Sequence, residues 1–219
     1  MAEINRAKSL LRKVFRDRAK QMPEGYGSAC EPERFPEVWK ERFRHARRIA
    51  AYRPLPDELS LDTVLLCSEW KEGKFCFPRV EGEDIRFYEA DSEERFRSGA
   101  FSIEEPDMSC EKVDPDDIDI ILVPAVAYGM DGTRIGRGKG FYDRFISQSF
   151  ESCGKIEGKY RIGVVPACRV LGQVPSDSWD MKVDAILTEG SLIDLAEGEA
   201  LYGAAADASE RGKGEKERR

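Results

Sequence analysis

The run IDIILVPAVAY, residues 118 to 128, is apolar without interruption after Asp119. A strand with one face in water alternates apolar and polar residues, so an unbroken run of Ile, Leu and Val marks a strand buried on both faces. Such a strand needs cover on both sides, which restricts the chain to an α/β arrangement with largely parallel strands. Other periodicities agree. Ile4, Ala7, Leu10, Leu11, Val14 and Phe15 recur at helical spacing and predict an amphipathic helix over 3–20, with Lys8 and Arg12 four apart on one face. Val38, Trp39, Phe43, Ala46, Ile49 and Ala50 predict a second helix over 37–52, and 59–70 reads as a third. KFCFPRV (74–80), IRFYEA (85–90), YRIGVVPA (160–167) and VDAILTE (183–189) read as strands, and FYDRFISQSF (141–150) returns to a helical pattern. The expected fold is a single α/β domain over residues 1–202, with a largely parallel sheet covered on both sides. The small and charged stretch 203–219 cannot bury a core and is expected to be disordered.

Composition narrows the function classes. A net charge of −7 argues against a chain built to wrap nucleic acid, so basic residues count only as local clusters. No stretch approaches the roughly 18 consecutive apolar residues of a membrane span. The charged N-terminus, MAEINRAKSLLRKVF, lacks a signal peptide's apolar centre. Six cysteines at 30, 67, 76, 110, 153 and 168 form no CxxC pair and no zinc-like grouping, which points to free thiols in a reducing cytoplasm. The single histidine, His45, sits among arginines and reads as a surface residue.

The candidate site follows the buried run. In RIGRGKGFYDR (134–144), Gly136, Gly138 and Gly140 alternate with long cationic side chains. Alternating glycines build neither helix nor strand well, because each adds backbone entropy that folding must overcome. They do let a phosphate reach bare backbone N–H groups, beside a helix N-terminus that adds further donors. Arg134, Arg137 and Lys139 would pair with phosphate oxygens, and Asp143 would take a magnesium ion touching the same phosphates. The spacing is neither GxxxxGK[ST] nor GxGxxG, and on this pattern alone a solvated surface loop stays open.

The extended segment ILVPAVAYGMDGTRIGRGKGFYDRF resembles the signature of the 5-formyltetrahydrofolate cyclo-ligases, also called methenyltetrahydrofolate synthetases. Five further segments match that family in order between about residues 5 and 190: KSLLRK, AAYRPLPDELSLDTVL, FCFPRV, FSIEEPD and VPSDSWDMKVDAILTE. Ser102 stands where the family usually has glycine, and Trp179 where many members have histidine; the segment 21–37 is longer than usual and the tail is extra.

The resemblance makes the expected fold a three-layer α/β/α domain, and implies an enzyme that uses Mg-ATP to convert 5-formyltetrahydrofolate to 5,10-methenyltetrahydrofolate, releasing ADP and phosphate. It implies that Lys8 and Arg12 contact ATP phosphates, and that Arg134, Ile135, Gly136, Arg137, Gly138, Lys139, Gly140, Phe141 and Tyr142 form the ATP loop. Arg53 and Glu58 would bind the reduced pterin, with Arg137, Gly138, Lys139, Gly140 and Phe141 also near the folate. Arg137 and Lys139 would stabilise charge in the reaction, and Asp143 and Asp184 would hold magnesium. The expected partner is this small molecule, with no nucleic acid and no membrane, and the chain a monomer or weak homodimer. Two other readings of the same residues stay open at this point. One is a sugar-phosphate isomerase or CoA-transferase-like enzyme on a similar α/β fold. The other is a non-catalytic module whose basic loop captures RNA, against which the acidic net charge counts.

Overall fold

The structure, a computed structural model, describes residues 2–20, 35–65, 74–149 and 159–195. The expectations for the tail, for most of the 21–37 segment and for the second half of the third helix lie outside the described residues. In chain order the first elements are α1 (Ala2–Ala19), α2 (Glu37–His45), β1 (Arg48–Ala50), α3 (Asp62–Leu65), β2 (Lys74–Glu81) and β3 (Asp84–Glu89). A short hairpin, β4 (Phe96–Ser98) and β5 (Glu104–Pro106), precedes β6 (Ile120–Pro124), β7 (Ala127–Gly129) and β8 (Arg134–Ile135). Then come α4 (Phe141–Ser149), β9 (Tyr160–Val164), β10 (Val170–Leu171), β11 (Ala185–Leu187) and β12 (Leu192–Asp194).

Seven strands pair in the order β12-β11-β9-β6-β1-β2-β3. The inner five run parallel, and antiparallel β3 and β12 close the two edges. The long apolar run supplies the middle strand: Ile120, Ile121, Leu122 and Val123 are all fully buried. Successive side chains on a strand point to opposite faces. Ile120 and Leu122 accordingly join Trp39 and Phe43 of α2 in one core cluster, while Ile121 and Val123 join Phe145 and Ile146 of α4 in another. Each helix covers one face.

Two expectations are corrected here. The run does not continue as one strand to 128. It stops at Pro124, which lacks the N–H a ladder needs, and resumes as β7 in a separate three-stranded sheet of order β10-β7-β8. The second helix does not reach residue 52 either. It ends at His45, and Arg48–Ala50 forms β1 between β6 and β2. Ile49 and Ala50 suit either period, but they enter opposite core clusters, the signature of a strand. Asp119 fixes the turn, its carboxylate accepting from the Arg47 N–H at 2.6 Å. His45 is exposed and pairs with Glu41 at 2.6 Å, as a surface residue should.

Strand order positions the site. From β1 the chain moves outward to β2 and β3, then returns to β6 on the other side of β1 and proceeds outward to β12. The reversal lies between β1 and β6, and open α/β sheets leave a crevice at the carboxyl ends of the strands at such a point. Tyr52, Arg53 and Glu58 follow β1, Pro124 ends β6, and the glycine loop follows β8. All of these line one cavity.

Candidate active site

The cavity holds about 570 Å³, within the range of small-molecule sites. It brings together thirteen of the residues expected from sequence: Lys8, Arg12, Arg53, Glu58, Arg134, Gly136, Arg137, Gly138, Lys139, Gly140, Phe141, Tyr142 and Asp143. Ile135 is not among them. As the last residue of β8 it is fully buried in a core cluster with Phe15 and Val126, so its part in the loop is packing.

Asp184 is the second correction to the expected set. It immediately precedes β11, at the amino edge of the sheet, whereas the cavity lies at the carboxyl edge. Its carboxylate is held by Arg161, at 2.9 Å from Nη2 and 3.2 Å from Nε, and does not line the cavity. Asp143 and Asp184 therefore do not share a site. Among the described residues no group of three or more His, Cys, Asp or Glu side chains is arranged for a metal ion. Asp143 does face the cavity, with Oδ1 2.5 Å from Arg134 Nη2.

The glycines serve different ends. Gly138 has φ +97° and Gly140 φ +69°, a region that side chains rarely occupy. Gly136 has an ordinary φ, and a Cβ built there would meet no protein atom within 4 Å. Its missing side chain leaves open space at the cavity. Arg12 Nε donates to the Gly136 carbonyl at 2.7 Å, so α1 fixes the loop's first turn. At the other end, Arg144 donates to the Lys139 carbonyl at 3.0 Å and pairs with Asp84 of β3 at 3.2 Å. The loop thus spans from α1 to the β2–β3 hairpin.

One wall of the cavity is charged and already paired. Lys8, only 6% exposed, sits 3.2 Å from Asp177 and forms a second ion pair with Asp180. Arg137 donates from Nε to Glu58 at 2.9 Å and from Nη2 to Asp57 at 2.6 Å. Burial works against the Arg137 charge, but Glu58 and Asp57 together outweigh it and hold its pKa above the usual arginine value. Glu58 also accepts from the Leu55 N–H at 3.0 Å, which locks its carboxylate in the turn after β1. Burial, with Glu58 adding, pushes the Tyr142 hydroxyl well above its ordinary pKa and keeps it neutral.

The opposite wall is apolar: Pro78, Val80, Ile85, Phe101 and Ile103 from the β2–β3 and β4–β5 hairpins. Phe101 is 57% exposed and, among the described residues, is the one non-glycine with positive φ, at 59°. Its ring lies 6.2 Å from that of Phe141, and Lys139 Nζ stands 5.4 Å from its centroid. A bulky residue in this backbone region is strained by about 1–3 kcal/mol. Arg53 borders the same region, ion-paired with Glu93 and Glu104 and stacked 4.2 Å over Phe96.

The sequence reading missed Asp57, Phe101, Asp177 and Asp180, and it named Trp179 only as a departure. Trp179 is 58% exposed and lines the cavity beside its charged wall. A signal was present for two of these residues. Asp177 and Asp180 stand in VPSDSWDMK, where an aspartate on either side of an exposed tryptophan reads poorly as core.

The model of the 5-formyltetrahydrofolate cyclo-ligase family matches residues 4–189. The chain belongs to that family. The mouse 5-formyltetrahydrofolate cyclo-ligase is 26% identical over 159 residues, covering 68% of this chain and 77% of the mouse protein. The Haemophilus influenzae cyclo-ligase is 28% identical over 149 residues, covering 66% and 76%. Among solved structures, the Aquifex aeolicus 5,10-methenyltetrahydrofolate synthetase superposes with a TM-score of 0.65 at 31% identity, covering 86% of this chain and 92% of that one. The 5,10-methenyltetrahydrofolate synthetase of Mycoplasma pneumoniae, at 20% identity and a TM-score of 0.59, shares the fold. Family and relatives together indicate an enzyme of cyclo-ligase type acting on a small-molecule folate. No helix among the described residues is long and apolar enough to cross a membrane.

Proposed function

We propose that this chain uses Mg-ATP to convert 5-formyltetrahydrofolate to 5,10-methenyltetrahydrofolate, with release of ADP and phosphate. The observation that carries the reading is the pairing of the two walls across a bare glycine backbone. Lys8, Arg12, Arg134, Arg137 and Lys139 converge on Gly136–Gly140, a setting for a polyphosphate. The apolar wall, with its exposed Phe101 ring, suits a flat pterin or aryl group.

An N-formyl oxygen is a poor leaving group. In the proposed reaction that oxygen attacks the γ-phosphorus of ATP and ADP departs. The neighbouring amine of the same folate then attacks the activated carbon, its proton leaves, and phosphate carries the former formyl oxygen away as the ring closes. The residues of this chain orient the reacting groups and stabilise charge as it develops. Arg137 is braced by Glu58 and Asp57, and Lys139 projects from the loop beside Phe101, so both cations border the space between the two walls. A nucleophilic side chain is not required.

Of the two aspartates expected to hold magnesium, Asp143 alone lines the cavity. Its Oδ2 has no partner among the described residues, so it would offer the ion one carboxylate oxygen, with phosphate and water supplying the rest. Bound there, the ion would offset phosphate charge, while Arg134 holds the carboxylate in place.

The test mixes protein, Mg-ATP and 5-formyltetrahydrofolate and follows both ADP and the methenyl-folate chromophore. Stoichiometric growth of the two, dependent on the folate, is expected. ADP release that ignores the folate would make the chain a generic nucleotidase, and no release would remove the reading.

A further inference from the structure

Arg169 ends the 3-10 turn Ala167–Arg169 after β9 and is 1% exposed. None of its three side-chain nitrogens has a hydrogen-bond partner among the described residues. Its guanidinium lies 5.9 Å from the Phe15 ring centroid and 3.5 Å from Asp57 Oδ2, its one ion pair among the described residues. A cation buried this deeply with its donors unsatisfied destabilises the fold, and an apolar side chain of similar volume would pack better. What Arg169 supplies is charge.

That charge has a definite recipient. Asp57 is also bonded through Oδ1 to Arg137 Nη2 at 2.6 Å, and Arg137 is bonded to Glu58 at 2.9 Å. Without Arg169 the cluster would set two carboxylates against one guanidinium, a net negative charge on the wall of a cavity built for anions. With Arg169 the four groups sum to zero.

We propose that Arg169 is a positioning residue: acting through Asp57, it is the buried counter-charge that leaves Arg137 free to serve an anionic ligand. The inference rests on the proposed ATP and folate chemistry but adds a residue that does not touch either ligand. When an anion arrives and draws Arg137 forward, Asp57 keeps a cation behind it. The unsatisfied donors of Arg169 are then available to the whole Asp57 carboxylate.

The experiment compares wild type, R169M, D57N and R169M/D57N by urea unfolding and by titration with Mg-ATP and with 5-formyltetrahydrofolate at low and high salt. One uncompensated charge at this range predicts that R169M binds at least one ligand about tenfold more weakly at low salt. That gap narrows at high salt, while kcat at saturating ligand is retained. Removing the surplus carboxylate in R169M/D57N restores affinity to within about threefold of wild type, a recovery that a merely structural role would not give. R169M that binds both ligands as wild type does, or a double variant as weak as R169M, overturns the inference alone. Should R169M fail to fold, D57N decides. It leaves two cations facing one carboxylate, so anion binding must hold or tighten, and a loss would overturn the proposal. Wild type that binds neither ligand overturns the functional reading and this inference with it.

Discussion

The two walls of the cavity hold their shape by opposite means. On the α1 side, Lys8, Arg134 and Arg137 are each locked to carboxylates, and Lys8 and Arg134 are almost wholly buried. On the hairpin side, Phe101 stands more than half exposed on a strained backbone. The charged wall is preorganised, its cations paired in advance so that the proposed phosphate would meet fixed charges and not long flexible ones. The apolar wall is held at a local cost in stability, and only a flat ligand would repay it. If each wall binds the ligand proposed for it, the Lys8 and Phe101 substitutions each attack one wall while using the other as control.

The largest effect is expected at Lys8. Lys8→Met leaves Asp177 and Asp180 unopposed where phosphate should sit, so Mg-ATP affinity should fall by about a hundredfold or more, while 5-formyltetrahydrofolate binding changes far less. Titration of each ligand, with urea unfolding alongside, separates this from global destabilisation, which breaking a buried pair also brings. Equal losses for both ligands would mean that the walls are not independent.

Phe101→Gly is expected to weaken the folate by about tenfold through lost ring contact, with ATP unaffected. Glycine tolerates φ 59°, so the unfolding midpoint should stay level or rise. A clear fall in stability without loss of folate affinity would make Phe101 structural.

The two aspartates expected from the sequence to hold magnesium give the smallest effects. Asp143→Asn should raise the magnesium concentration needed for half-maximal turnover several-fold, partly recovered by added magnesium. Asp184→Asn should leave magnesium dependence untouched and cost no more than about 1 kcal/mol, as expected for a partly exposed pair. A magnesium shift in the Asp184 variant would contradict its placement at the amino edge of the sheet.

How much of this was legible in the sequence differs between the same two regions. The glycine loop and the Lys8–Arg12 pair were readable because their chemistry lies in short, ordered motifs, and both line the cavity. The parallel sheet was readable from one unbroken apolar run. β1 was hidden because three residues carry no period of their own, and the helical pattern before them extends smoothly across His45. Asp184 was expected in the site from the resemblance alone; it precedes β11, and the parallel pairing of β11 with β9 puts that end at the amino edge, away from the crevice. Phe101, Asp57 and Arg169 were invisible because their roles depend on contacts between segments distant in sequence, 40 residues from Phe101 to Phe141 and 112 from Asp57 to Arg169.

The central claim is that bare backbone between the walls receives phosphate, and Gly136→Ala tests it most directly. Its added methyl meets no protein atom within 4 Å, so the fold has nothing to resist it. We expect an unchanged urea midpoint, retained 5-formyltetrahydrofolate binding, and Mg-ATP affinity reduced by about tenfold or more as the methyl displaces a phosphate from its charge-assisted contacts. Mg-ATP affinity equal to wild type in the folded variant would contradict the claim.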